Sequence, residues 1–220
     1  MPRQTTLEHS SQIARQETRS ADTTRTRLLD VAFEEIYLNG YQGLRVDGLL
    51  EKAGLTKGAF YHHFPSKQAL GLAVIDEILA GMVDLIWSQH LKQFDDPIEG
   101  IAVSSEFARG MLGERTITLG CPLNNLAQEM SGLDEAFRAR IESLFRSIVD
   151  NIAGELERGK RQGFVRQDVD SNAAAIFILA SLEGAIGIAK SQRSSDVLNS
   201  AMNEFGRYLN SLRATGSHQR

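Results

Sequence analysis

Residues 49–67, LLEKAGLTKGAFYHHFPSK, hold two helical patterns with almost nothing between them. Val46, Leu49, Leu50 and Ala53 share one face of a helix over about 46–53 that stops at Gly54. Thr56 then offers a hydroxyl to cap a second helix over about 57–64. The interval AGLT is so short that the two helices must cross steeply, the pattern of a helix-turn-helix. Gly54 fits because such a turn needs a residue tolerant of positive φ. A corner of an ordinary three-helix bundle uses the same turn. The polar content points further: Lys57, Tyr61, His62, His63 and Lys67 crowd around a bare Gly58–Ala59 step. A core does not need polar groups at that density, so this is a metal or catalytic site or a surface that lies against something.

Working outward, Leu28, Leu29, Ala32, Phe33, Ile36 and Tyr37 recur at helical spacing until Asn39–Gly40 supplies a stop. Residues 1–22 lack sustained apolar periodicity and read as a flexible arm. Beyond Pro65, Ser66 caps a helix carrying Leu70, Val74, Ile78, Met82, Leu85 and Ile86. Further helices are expected from Pro97, from Pro122, from Leu133 through Phe137, Ile141, Ile148 and Leu156 to Gly163, over 172–189, and over 197–212. No strand pattern or repeat interrupts them, so the expected fold is all-α.

Composition is that of an ordinary soluble protein: 42% hydrophobic, 24% charged, net charge −4. The charge is uneven, with nine Lys/Arg against eight Asp/Glu over 1–69 and fifteen against twenty beyond. That permits a local phosphate-contacting patch on the N-terminal part. One cysteine, Cys121, excludes an internal disulfide. The polar N-terminal stretch lacks the apolar core of a signal peptide, leaving a cytoplasmic protein as the expectation. The apolar run 172–189 is short for a bilayer and contains Glu183; its small residues suit a helix packed closely against another.

Catalytic and metal sites find no support. GELERGKR, 154–161, nearly spells a phosphate-binding loop, but Arg161 stands where a magnesium-binding hydroxyl belongs and no strand precedes it. Adjacent His62 and His63 diverge by about 100° on a helix, a poor geometry for one ion. No nucleophile elbow, zinc-protease or dinucleotide motif occurs. We expect no enzyme, no metal and no cofactor.

With these motifs in hand, LLDVAFEEIYLNGYQGLRV, LLEKAGLTKGAFYHHF and SKQAL resemble, in order and spacing, the N-terminal domain of the tetracycline-repressor (TetR/AcrR) family of transcription regulators. Pieces such as GKRQGFVRQDVD and LEGAIGIA resemble its C-terminal domain more loosely. One departure stands out: Leu44 and Arg45 occupy positions where the family usually has Thr or Ser. A hydroxyl cap worth about 1 kcal/mol is lost, while Arg45 gains a possible phosphate contact.

The resemblance implies a flexible arm over 1–22, a three-helix helix-turn-helix DNA-binding domain over 23–69, and a helical ligand-binding and dimerisation domain over 70–220. It implies a homodimer joined through the last two helices, because one recognition helix reads too few base pairs and two read a near-palindromic double-stranded operator. It implies a small-molecule effector of unknown identity, and no membrane partner. Arg45, Thr56, Lys57, Gly58, Ala59, Tyr61, His62 and Lys67 form the expected DNA-contacting set; His63 is either a member or a packed, hydrogen-bonded histidine. For the ligand, Trp87, Phe107, Met111, Phe145 and Phe177 are candidates for apolar lining and Asn124, Asn125 and Gln128 for polar contacts, although each apolar one taken singly reads first as core. Cys121 at a helix start suggests a depressed thiol pKa and a sensor of electrophiles or oxidants, although it reads first as an ordinary small residue. A helical interaction protein that never touches DNA is the rival class.

Overall fold

The computed structural model describes residues 4–214, with side chains from residue 22 onward. Among the described residues are eleven α-helices joined by short connections: α1 (Gln4–Gly43), α2 (Val46–Ala53), α3 (Lys57–His63), α4 (Lys67–Ala73), α5 (Ala80–Val83), α6 (Pro97–Leu112), α7 (Arg115–Thr118), α8 (Pro122–Met130), α9 (Glu135–Gln162), α10 (Ser171–Gln192) and α11 (Ser195–Ser211). Among the described residues the sole β-type pairing is one antiparallel bridge between Val165 and Arg213. The all-α expectation therefore stands.

The chain divides into two compact units, residues 1–74 and 75–220. In the first, α2, α3 and α4 pack against α1. Leu28, Ala32, Leu49, Ala53, Phe60 and Leu70 are fully buried at its centre. The local reasons are visible in the sequence. Gly40, at φ 76° and ψ 162°, breaks α1 at the Asn39–Gly40 stop. Gly54, at φ 64° and ψ 36°, closes α2 in the left-handed region. The Thr56 and Ser66 hydroxyls accept from Ala59 N–H at 3.2 Å and Ala69 N–H at 3.0 Å. α1 begins at Gln4 and so takes in most of the segment expected as a loose arm. No glycine or proline interrupts residues 4–39, so local propensity favours helix there. The first three residues of that arm lie outside the described ones.

The second unit is built on α9 and α10, with α6, α8 and α11 packed around them. Asp96, Asp134, Asp170 and Ser194 each cap the helix that follows with a side-chain oxygen. Asp134 moves the start of α9 past Leu133, which is 64% exposed rather than the first residue of the apolar stripe. The stretch after α4 stays helical but widens into π-type turns at Val74–Leu79 and Asp84–His90. Such turns rotate successive side chains away from regular spacing and occur often at functional sites. Gly159 belongs to the phosphate-loop look-alike, and packing explains it. A Cβ there would meet Pro97 Cγ and Val165 Cγ2, each at 2.6 Å.

Candidate functional site

Two features invite a partner, one in each unit. In the first unit, the start of α2, the Gly54 turn and the start of α3 present Arg45, Thr56, Lys57, Gly58, Tyr61 and His62 exposed, with Ala59 half-buried among them. The helix is held from beneath: Phe60 and Phe64 are buried, their ring centroids 6.1 Å apart. Tyr61 packs edge-on against Phe60 at 5.1 Å yet remains 58% exposed. A Cβ on Gly58 would meet Thr56 Oγ1 at 3.8 Å and nothing closer. Nothing among the described residues crowds a side chain at that position.

The electrostatics of this face are set by short pairs. Lys57 Nζ lies 2.9 Å from Asp47 Oδ1, and hydrogen bonding to Asp47 raises the lysine pKa. Lys67 donates to the Gln42 carbonyl at 3.3 Å and sits 4.6 Å above the Tyr41 ring, which ties α4 to the end of α1. Arg45 precedes α2 in extended conformation and supplies no side-chain cap, so the missing hydroxyl is not replaced. His63 is half-buried beside His62, ring centroids 5.0 Å apart; desolvation first, then His62 and Arg25, lowers its pKa. A neutral His63 supplies no fixed cation for phosphate.

In the second unit a cavity of about 100 Å³ lies among the π-turn segment, α6, α8, α10 and α11. Leu79, Met82, Val83, Ile86 and Trp87 form one wall, and Leu182, Ile186, Leu198 and Met202 another. Of the residues expected to line a pocket, Trp87 and Cys121 do so. Phe107 instead stacks on His90, rings 4.4 Å apart and 2° from parallel. Met111 is exposed. Phe145 faces a separate surface hollow beside Ile141 and Val149. Phe177 is exposed and meets Tyr208 edge-on at 4.6 Å. Asn125 bridges the Leu119 carbonyl and Lys190, while the exposed Gln128 reaches only Asn124. Asn124 acts indirectly, through hydrogen bonding to Glu183.

Cys121 corrects the expectation of an activated thiol. It does precede α8, but burial first and the Glu183 carboxyl second push its pKa well above the ordinary range. The apolar walls outweigh the two backbone N–H groups of Leu123 and Asn124 that favour thiolate. Glu183 is the residue that sequence reading passed over, noted only as a charge inside an apolar run. That isolation was itself the available signal, since a lone carboxylate on a buried helix face needs a reason.

α10 is long and apolar enough, by length and composition, to cross a membrane. It packs between α9 and α11 instead. Ile176, Phe177 and Ile188 stand more than half exposed along its outer side, beside exposed Ala180, Gly184 and Gly187. A shallow apolar groove runs there between α10 and α11, with Phe205 and Tyr208 on its far wall.

Comparison with known proteins addresses both units. Residues 28–74 match the model for bacterial regulatory proteins of the tetR family, and residues 97–205 match that for tetracyclin repressor-like C-terminal domains. A helix-turn-helix transcriptional regulator in the lacX 3′ region of Lactococcus lactis is 30% identical over 182 residues, covering 80% of this chain and 88% of its own. The transcriptional regulator AcuR of Cereibacter sphaeroides is 28% identical, covering 86% of each chain. Among solved structures, a TetR transcriptional regulator from Chloroflexus aurantiacus superposes with a TM-score of 0.80 at 26% identity, covering 89% of this chain and 98% of that one.

Proposed function

Since this chain belongs to the TetR family of bacterial regulatory proteins, we propose that it is a homodimeric repressor whose operator is released when a small molecule fills the C-terminal cavity. It is a DNA-binding transcriptional regulator. The observation that carries the reading is the exposed set Arg45, Thr56, Lys57, Gly58, Ala59, Tyr61 and His62 on a helix anchored by Phe60 and Phe64, within the matched residues 28–74. A short helix with a small-residue start enters a major groove, and flanking Lys, Arg and Tyr side chains meet phosphates. Lys67, already joined to Gln42, adds its charge from the start of α4.

Two copies are needed. Paired reading heads about 34–36 Å apart read a near-palindrome where one head reads too little. The apolar groove and the Ile176–Ile188 side of α10 supply a face for pairing. Effector control follows from connectivity. The cavity wall Leu79–Trp87 lies in the helical stretch that continues from α4 through Val74–Leu79, so an occupant that favours one arrangement of that stretch shifts the population of reading heads. The effector must bind the released form more tightly, and by linkage the operator must weaken effector binding equally.

The test is fluorescence anisotropy of the full chain on DNA flanking its own gene, at two salt concentrations with scrambled competitor. Specific binding that weakens with salt supports the reading. Equal affinity for scrambled DNA there, together with failure of selection from a genomic library, overturns it.

A further inference from the structure

The C-terminal cavity is an apolar space with one polar atom left unmet. The other polar groups in its lining are engaged. Ser105 donates to the Ile101 carbonyl at 2.7 Å and Thr116 to the Arg109 carbonyl at 3.4 Å. Arg109 is held by Glu106 at 2.6 Å and reaches Asn199 at 3.4 Å. Glu183 differs. Its Oε2 is buried and, among the described residues, is the one buried side-chain oxygen or nitrogen found without a hydrogen-bond partner. A carboxyl kept only for packing is normally fully paired, because an unmet buried polar group is costly. Leu or Gln would fill the same space at lower cost. Glu183 lines the cavity, so a ligand group that enters it meets this side chain.

We propose that Glu183 is the polar anchor of this cavity, and that the effector is a small, uncharged, mainly apolar molecule with a single hydrogen-bond acceptor directed at the Glu183 carboxyl. This rests on the reading of the cavity as the effector site and not on operator binding. Size sets the first limit. About 100 Å³ is less than the roughly 150 Å³ of an engineered apolar cavity that accommodates benzene, so the occupant is no larger than a ring of about six heavy atoms. Charge sets the second. A cation here would lose its whole hydration shell for one partner, and desolvation in an apolar interior commonly exceeds the attraction regained. An anion would face Glu183 itself, with Arg109 already committed. A neutral acceptor needs only an O–H donor. Burial raises the Glu183 pKa and so favours that protonated donor form, against the hydrogen-bonding influence of Cys121 and Asn124.

Three rings of matched shape separate the possibilities: cyclopentanone, cyclopentane and cyclopentylammonium, titrated by calorimetry into DNA-free protein. Trp87 is the single tryptophan and lines the cavity, so a shift of its emission marks occupancy of this site. Cyclopentanone is expected to bind about tenfold more tightly than cyclopentane, with the ammonium weakest. Glu183→Leu should bring ketone and hydrocarbon within about twofold. Glu183→Gln, which keeps shape and a donor, should retain most of the preference. The proposal is overturned if wild-type protein binds ketone and hydrocarbon equally, if the ammonium binds most tightly, if none of the three binds, or if Glu183→Leu keeps the ketone preference. Operator affinity is measured separately without ligand. A protein that binds its operator but fails these titrations loses only the anchor, while one that passes them without binding DNA loses only the repressor reading.

Discussion

Lys57 Nζ reaches Asp47 Oδ1 at 2.9 Å, linking the first turn of α3 to the first turn of α2 across the Gly54 turn. Both side chains are mostly exposed, 68% and 76%. Such a pair contributes at most about 1 kcal/mol to stability. Its weight falls on charge placement, since Asp47 holds the ammonium at the start of α3 and offsets its charge. Lys57→Ala should lower operator affinity and reduce the slope of log K against log salt by about one. Asp47→Asn should raise affinity for specific and scrambled DNA alike, by a few-fold. Anisotropy titrations at four salt concentrations read both, and an unchanged slope in Lys57→Ala removes that lysine from the phosphate contacts.

Neighbouring residues Phe60 and Tyr61 should divide stability from recognition. Phe60 is fully buried and Tyr61 is 58% exposed. Phe60→Ala leaves a cavity beneath α3 and should destabilise the chain by about 3–5 kcal/mol. Tyr61→Phe keeps the edge-on packing on Phe60 and loses only the hydroxyl. It should leave the urea midpoint within error while weakening operator binding by about 1 kcal/mol, a hydrogen bond's usual net value.

This division also marks what the sequence made legible. Thr56, Ser66 and Gly54 act within three or four residues of themselves, so caps and the turn could be placed from local pattern alone. Phe60 and Phe64, four apart, announced the buried side of α3 by spacing. The cavity was not readable that way. The π-type turns at Val74–Leu79 and Asp84–His90 shift the register of one whole wall. The ring of Phe107 is taken up by His90, which belongs to a different element, and helical spacing says nothing of such a stack. The raised thiol pKa of Cys121 was not readable for the same reason: its helix start is local information, while the burial that raises its pKa is contributed by distant elements.

Glu183 should leave a signature in the pH dependence of stability. Its folded-state pKa is raised, chiefly by burial. The folded chain then holds the proton more tightly than the unfolded chain does. The associated stability is present in full below the ordinary glutamate range and is lost as pH rises through the raised value. The titratable or charged groups sharing its cavity are Cys121, whose raised pKa keeps it neutral over that window, and Arg109, whose charge is constant. Glu183→Gln removes the dependence. Its urea midpoint should match wild type in acid and exceed it at neutral pH by on the order of 1 kcal/mol. Parallel curves for the two proteins across that range would mean that Glu183 does not titrate in this window.

Gly159 offers a test of packing between α9 and the start of α6. A methyl there would come within 2.6 Å of both Pro97 Cγ and Val165 Cγ2. Replacing glycine inside a helix normally gains up to about 1 kcal/mol in propensity. Overpacking by one methyl costs about 1–3 kcal/mol, so crowding wins and Gly159→Ala should lower the midpoint. At Gly154, earlier on α9, a methyl would meet nothing within 4 Å. Gly154→Ala should therefore stabilise by about 0.5–1 kcal/mol, and opposite signs for the two variants in urea denaturation check the geometry.

The exposed side of α10 should decide assembly. Ile176, Phe177 and Ile188 are 52%, 52% and 54% exposed, and small residues between them leave room for close approach of another helix. Phe177 already meets Tyr208 edge-on, so part of the entropy of ordering its ring is lost before any partner arrives. Burying a carboxylate at this face without a partner is strongly unfavourable. Ile188→Glu and Phe177→Glu should each convert a dimer to a monomer in light scattering at micromolar concentration. The residues proposed to contact DNA belong to the other unit and are unchanged in either variant, so non-specific DNA binding should persist. Operator affinity should fall at least a hundredfold, because two linked heads gain about that factor or more from effective concentration. A variant that becomes monomeric yet keeps full operator affinity would show that pairing through α10 is not what brings two reading heads to one site.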